Sequence, residues 1–175
     1  MAGVKLKTVN AQKLAYMDHK GDYGSIPYDK YFEQLYAWAK EKKVRPGFKP
    51  LGIFHDNPEE IPPEQCRSEI AIPIVGEADS DEDIKVKELP SMEVAVIKHK
   101  GPSEEYKTTY KTLGDWITEN GYEWAGPCME VYTKKPKVKG NQTIMYATIQ
   151  APVKKKDTLL RKLADKEEQT ESETK

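Results

Sequence analysis

The chain is poor in the residues that usually carry redox, metal or phosphate-loop chemistry. Only two of its 175 residues are cysteines, Cys66 and Cys128, too few for a disulfide framework. Nothing local lowers either thiol pKa, so both are expected reduced and buried in a cytoplasmic protein. Three histidines are present, His19, His55 and His99. Their spacing to acids and thiols matches no metal-ligand pattern, so no metal is expected. His19 and His99 each precede a Lys-Gly pair at a strand end, which fits capping or exposure. Neither G-x-G-x-x-G nor G-x-x-x-x-G-K occurs, which leaves no dinucleotide or P-loop fingerprint and no implied cofactor. No apolar run approaches the roughly 20 residues that span a bilayer. No charged segment followed by an apolar one opens the chain, so neither a membrane span nor a secretory signal is expected. Net charge is equally sparse: 28 basic against 29 acidic residues leave −1. That balance lacks the excess that grips phosphate backbones, and direct DNA binding is not expected.

What the chain does have is 37% hydrophobic residues, ten tyrosines, three tryptophans and an internal repeat. Ala15-Tyr16-Met17-Asp18-His19-Lys20-Gly21 has a counterpart in Ala95-Val96-Ile97-Lys98-His99-Lys100-Gly101. Each copy is followed by a helical stretch with a Leu-x-x-Trp pair, Leu35 and Trp38, then Leu113 and Trp116. Gly52-Ile53-Phe54-His55-Asp56-Asn57-Pro58 matches Glu130-Val131-Tyr132-Thr133-Lys134-Lys135-Pro136, and Ile72-Pro73-Ile74 matches Ala151-Pro152-Val153. Four ordered matches at nearly one offset mark a duplication.

Each half reads as strand, helix, strand, strand. The first predicts strands over Lys13–His19, Pro50–His55 and Glu69–Val75, with a helix over 27–43 that Pro46-Gly47 ends. The second predicts strands over Met92–His99, Pro127–Tyr132 and Thr143–Pro152, with a helix over Glu104–Asn120 stopped by Gly121. The domain is expected over 1–153, with repeats at 10–76 and 87–153 and an acidic connector at 77–86 carrying Asp79, Asp81, Glu82 and Asp83. Residues 154–175 read as a charged, solvated tail in which Leu159, Leu160 and Leu163 can form a short helix. The basic runs Lys40–Lys43 and Lys154–Lys156 are short and read as solvated faces.

Taken in order, these segments resemble the GyrI-like small-molecule-binding domain, also known as the AraC-type or bacterial transcription activator effector-binding domain. The resemblance rests on Gly21-Asp22-Tyr23, the aromatic helix through Trp38, Gly52 to Pro58, Cys66-Arg67-Ser68-Glu69-Ile70-Ala71-Ile72-Pro73, Leu89-Pro90, His99-Lys100-Gly101-Pro102, Leu113 to Trp116, Gly121-Tyr122 and Met129-Glu130-Val131-Tyr132. It implies an α+β fold of two strand–helix–strand–strand repeats related by a pseudo-twofold axis. Helices then back antiparallel sheets, and a ligand cleft lies on the other side. Ser103 stands where the family often has an aromatic, which implies a more open or polar pocket wall. With only residues 1–12 ahead of Lys13, the chain resembles the free-standing members rather than the full regulators.

Within that frame Glu130 is the residue of most interest. Alternation puts Glu130 and Tyr132 on one strand face and Met129 and Val131 on the other. If the apolar pair meets the helices, Glu130 points into the cleft. Its repeat counterpart is Gly52, which suits one ligand site per chain with room opposite the acid. An edge-strand glutamate in solvent, or paired with Lys134 or Lys98, is the competing reading. In the family an acid at this place meets the ligand, which favours the first.

Tyr16, Tyr23, Phe54, Tyr132 and Tyr146 are expected to line the pocket, and Trp38 and Trp116 to pack in the core. An inward carboxylate with aromatic faces describes a receptor for lipophilic, aromatic, often cationic molecules. Some free-standing relatives open strained rings on aromatic toxins, which implies Glu130 as general base with Tyr23 as acid or orienter. A gyrase-inhibitor-like protein partner at the acidic segment is a third reading. A haem-binding one, with peripheral histidines, is weaker.

Overall fold

The computed structural model describes residues 3–156 and 166–170. Ten strands and two long helices follow one another: β1 (Lys5–Val9), β2 (Gln12–Lys20), α1 (Tyr28–Glu41), β3 (Arg45–Pro46), β4 (Leu51–Phe54), β5 (Arg67–Val75), β6 (Lys85–Leu89), β7 (Met92–Gly101), α2 (Tyr106–Glu119), β8 (Tyr122–Trp124), β9 (Cys128–Lys139) and β10 (Gln142–Lys155). Residues 166–170 are helical. The short helix expected around Leu159 to Leu163 lies outside the described residues.

Both helices form because apolar side chains recur every three or four residues. Leu35, Trp38 and Ala39 of α1, and Leu113 and Ile117 of α2, are buried against the sheet. The helices end alike. Lys43 (φ 59°) and Gly121 (φ 78°) adopt the left-handed conformation that closes a helix. Val44 and Tyr122 then turn inward and are buried. The first helix therefore stops before Pro46-Gly47, at a lysine that accepts a backbone shape usually left to glycine. Turn residues Ser103–Glu105 form a 3₁₀ turn that leads into α2.

All strand pairs are antiparallel, and the main path runs β1-β7-β10-β9-β4-β5-β2-β6. The order mirrors about its centre, where β4 and β9 join the repeats. The outermost strands are exchanged: β1 precedes β2 in sequence but pairs with β7, while β6 precedes β7 but pairs with β2. Only two residues separate Val9 from Gln12, a reach of about 11 Å at most. The two ends of the strand order must therefore approach each other, so the sheet is bent into a trough.

Apolar clusters fill both faces. Ala15, Ile70, Ile72 and Ile74 pack under α1, and Ala95, Ile97, Ile149 and Ala151 under α2. On the opposite face Leu14, Leu51, Ile53, Ala71, Val94 and Met129 form a third cluster drawn from both repeats.

The acidic stretch between the repeats becomes a strand from Lys85 onward. Val86 lies against Ala15 and packs under α1, while Lys85 and Lys87 point to the other face. Charged flanks hide that alternation in the sequence. Earlier in the same stretch, Asp81 is committed to structure. Its carboxylate accepts from Trp38 Nε1 (3.1 Å) and from the backbone N–H groups of Asp83 (3.0 Å) and Ile84 (2.7 Å).

One continuous sheet and a shared third cluster predict that the repeats unfold together. Leu35 and Leu113 are both 0% exposed, and truncating either to alanine should cost roughly 2–5 kcal/mol. Urea unfolding followed by circular dichroism and by tryptophan fluorescence should give one coincident transition for each variant. Separate midpoints would show independent halves.

Candidate functional site

The seam between repeats is the β4–β9 ladder, in which Leu51 faces Val131, Gly52 faces Glu130, Ile53 faces Met129 and Phe54 faces Cys128. Met129 and Val131 pack into the third cluster, away from the helices. Alternation therefore turns Glu130 and Tyr132 toward the helix-bearing face, between α1 and α2. This reverses the expected placement, in which the apolar pair would meet the helices. The trough needs its own apolar filling, and Met129 and Val131 supply it.

Glu130 is 8% exposed. Tyr110, from α2, donates to its Oε2 at 2.6 Å, and the Tyr132 hydroxyl lies 3.4 Å from Oε1. The Tyr106 hydroxyl is close enough to feel the same charge, yet it is buried without a hydrogen-bond partner. Burial raises the Glu130 pKa to about 7, against the opposing pull of the hydrogen bonds from Tyr110 and Tyr132 and of the nearby Tyr106 hydroxyl. The groups acting on this carboxylate are tyrosyl hydroxyls, with no cation among them. Burial, and then the Glu130 charge, raise the pKa of Tyr28, Tyr106, Tyr110 and Tyr132. The same two causes push Cys128 up to about 12. Cys66 is raised as well, chiefly by burial, so neither thiol is activated.

Aromatic rings enclose the acid from both repeats. Tyr28 meets Tyr132 edge-on at 5.5 Å, and Phe32 lies 6.2 Å from the same ring. Phe54 meets Tyr23 edge-on at 4.9 Å. A Cβ on Gly52 would sit 2.9 Å from the Phe54 ring and 3.1 Å from the Tyr132 hydroxyl. Gly52 does not open a void opposite Glu130, as its missing side chain suggested. The freed space is filled by Phe54 and Tyr132.

The remaining expected residues lie elsewhere. The Tyr23 hydroxyl donates to the Arg67 carbonyl (2.6 Å) and accepts from the Asp56 N–H (3.1 Å), so it is held on the backbone. Tyr16 and Tyr146 sit on the opposite sheet face. Tyr16 lies under Lys87 at 4.4 Å, and Tyr146 between Lys100 (6.0 Å) and Lys134 (5.6 Å). One residue of strand alternation separates them from the site. Trp38 packs in the core under α1, and Trp116 stacks on Tyr122 at 5.9 Å.

The sequence pattern did not single out Tyr28, Phe32, Tyr106 and Tyr110, which lie on the apolar stripes of the two helices. Their signal is the repeat itself. Positions 28 and 106, 32 and 110, 52 and 130, and 54 and 132 all share an offset of 78. The site is thus the place where the duplicated aromatic positions converge across the seam.

The histidines brace this arrangement. His19 Nδ1 bonds the Tyr31 hydroxyl at 2.8 Å, and His99 Nδ1 bonds Thr109 Oγ1 at 2.8 Å. His99 is buried rather than exposed, and it stacks on Tyr106 at 3.9 Å. Among the described residues no group of three His, Cys, Asp or Glu side chains could hold a metal.

A separate recess of about 350 Å³ is lined by Asp18, His19, Lys20, His55, Arg67, Ser68 and Glu69. Its carboxylates already have counter-charges: Asp18 pairs with Lys85, and Glu69 with Lys87 and His55. Among the described residues Glu130 is the buried carboxylate without one.

Comparison with known proteins places this geometry. A family model described as the GyrI-like small molecule binding domain matches residues 3–154. A DNA gyrase inhibitor 2 from Dickeya dadantii is 31% identical over 114 residues, covering 63% of this chain and 71% of that protein. The DNA gyrase inhibitor of Escherichia coli K12 is 27% identical over 125 residues, covering 68% and 79%.

Among solved structures, the EcmrR C-terminal domain superposes with a TM-score of 0.75 at 19% identity, covering 89% of this chain and 99% of that one. The chain spans 58% of EcmrR as it occurs in its DNA complex. A hydrolase from Listeria innocua gives a TM-score of 0.65 at 16% identity, covering 87% and 92%. SAV2435 bound to tetraphenylphosphonium gives 0.54 at 12% identity, covering 86% and 93%. At these identities the structural likenesses concern the fold.

Two consequences are measurable. A glutamate ionises near 4.5 when exposed and near 7 at this position. Folding is therefore opposed progressively as pH rises from about 4.5 through 7, by roughly 3 kcal/mol at the upper end. Relative to Glu130→Gln, the wild-type protein should lose stability between pH 5 and pH 8 in urea titrations. A constant difference would place Glu130 in a solvated environment. Gly52→Ala should cost roughly 1–3 kcal/mol through overpacking against Phe54. A thermal melt matching wild type would contradict the close contact.

Proposed function

The chain belongs to the GyrI-like small-molecule-binding domain family, and we propose that it binds lipophilic aromatic cations, sensing or sequestering them at Glu130. One observation carries this reading: a buried carboxylate whose partners are tyrosyl hydroxyls and whose surroundings are aromatic rings. Such an acid is costly to ionise until a positive charge arrives. An organic cation supplies that charge, and flat rings add about 0.5–2 kcal/mol for each good cation–π contact.

Phe54 and Tyr132 fill the space beside Gly52. They act as a hydrophobic plug that a ligand displaces. Tyr28, Phe32, Tyr106 and Tyr110 form the walls. The hydroxyls of Tyr110 and Tyr132 hold the carboxylate in place while the cation approaches. Tyr23 supports Phe54 from behind. The likeness in fold to the tetraphenylphosphonium complex fits a ligand of this class.

A second reading follows from the same carboxyl group. A glutamate held near pKa 7 is matched to general-base work at neutral pH. With a strained-ring aromatic in place, Glu130 would take a proton from water, the hydroxide would bond to one ring carbon, and the ring bond would break. The second carbon would take its proton from Tyr110, and Glu130 would return the proton it took from water to the Tyr110 oxygen, 2.6 Å from its Oε2. Tyr23 is less suited to that task because its hydroxyl is held by backbone groups. The fold likeness to a Listeria hydrolase is compatible with this second role.

Titration with tetraphenylphosphonium, read by quenching of tyrosine and tryptophan fluorescence, tests the binding reading. Affinity should rise about tenfold between pH 6 and pH 8 as Glu130 ionises. Glu130→Gln should remove both the pH dependence and most of the affinity. Unchanged binding in that variant would overturn the role of the acid. A mass gain of one water on strained-ring aromatics, lost in Glu130→Gln, would establish turnover.

A further inference from the structure

A net charge of −1 averages over a pronounced segregation. Residues 131–156 carry seven lysines and no Asp or Glu. Four of them, Lys134, Lys135, Lys137 and Lys139, fall in one part of the β9–β10 hairpin. Pairing of β9 with β4 ends at Val131, and pairing of β10 with β7 begins at Met145. Between those points the two strands pair only with each other, as at Lys137 with Ile144, Val138 with Thr143 and Lys139 with Gln142. Residues 133–143 are exposed throughout. Gly140 (φ 61°) takes the first place of a two-residue turn, where a tight hairpin calls for a positive φ.

Lys13, Lys85, Lys87, Lys107, Lys111 and Lys154 each lie against a carboxylate. Among the described residues the four ribbon lysines have no such partner. At its base Lys100 and Lys134 flank the ring of Tyr146 and extend the positive field. A two-stranded ribbon is marginal in water by itself, and closely spaced like charges weaken it further. Both costs fall when a polyanion lies against it.

We infer that this ribbon binds duplex DNA, seating its strands in the major groove with Lys134, Lys135, Lys137 and Lys139 on the phosphates. The inference is independent of Glu130. Strands about 4.8 Å apart make a ribbon that the roughly 12 Å wide major groove admits. Ammonium groups suit phosphates as point charges. The tip carries Asn141 and Gln142, amides of the type that pair with base edges. The deep, narrow major groove of A-form RNA excludes the same insertion. An anionic membrane would call for a broad apolar face, and the large exposed apolar side chain on this ribbon is Val138 alone.

Fluorescence anisotropy of a labelled duplex tests the inference. With about four phosphate contacts, log affinity should fall with log salt at a slope of roughly −3 to −4. That corresponds to a loss on the order of 100-fold between about 50 and about 200 mM salt. The triple variant K135Q/K137Q/K139Q should flatten the slope to roughly −1, with unchanged thermal melting. K40Q/K42Q/K43Q should bind as wild type. Should the triple variant melt early, the exposed single variant K139E supplies the same comparison. Failure of wild type to bind at about 100 µM and low salt would overturn the inference. Equal loss in the two triple variants would do the same, as would preference for double-stranded RNA, polyglutamate or phosphatidylserine vesicles over the DNA.

Discussion

A carboxylate removed from water without a cation is the constraint around which this structure is arranged. Glu130 sits at the junction of two repeats, where β9 meets β4. Hydroxyl groups soften its desolvation without cancelling it, and its pKa stays near 7. Every neighbour is explained by that situation. Tyr110 and Tyr132 supply hydrogen bonds, Tyr28 and Phe32 exclude water, and Gly52 makes room for the rings that close over the acid. Glutamate in one repeat and glycine at the equivalent position of the other break the symmetry of the scaffold.

The duplicated architecture makes such a seam affordable. Exchanged edge strands tie each repeat to the other, and the trough-shaped sheet buries a third apolar cluster that belongs to both. Rigidity on that face leaves the helix face free to hold polar groups. His19 and His99, at equivalent strand ends, pin equivalent helices through Tyr31 and Thr109. His99 also carries the ring of Tyr106, so a residue far from the carboxylate in sequence sets the geometry of its wall. Charge is distributed unevenly along the chain. Acids crowd the stretch between the repeats, while the β9–β10 ribbon is wholly basic.

Much of the fold was legible because periodicity is local. The helix stripes through Leu35–Trp38 and Leu113–Trp116 and the apolar runs of β5, β7 and β10 could be read directly. Strands β1 and β6 escaped notice because polar residues outnumber the apolar ones in each, so alternation yields a weak signal. The pairing of Gly52 with Glu130 was also legible, since the repeat aligns them and β4 and β9 meet at the centre of symmetry. The direction in which Glu130 points was not, because two apolar faces compete for Met129 and Val131. Tyr16 and Tyr146 were grouped with the site on composition, and strand parity sends them to the other face.

Sequence alone determined the repeat, the order of its elements, the lone acid at a glycine-equivalent position and the abundance of aromatic side chains. These are properties of spacing along a chain, and spacing survives without coordinates. Tertiary structure decided which aromatics enclose that acid, which hydroxyls touch it, and that the space beside Gly52 is filled. Each of those depends on bringing α1, α2, β4 and β9 together from distant parts of the chain, and on the half-turn of a strand that assigns a side chain to one face or the other.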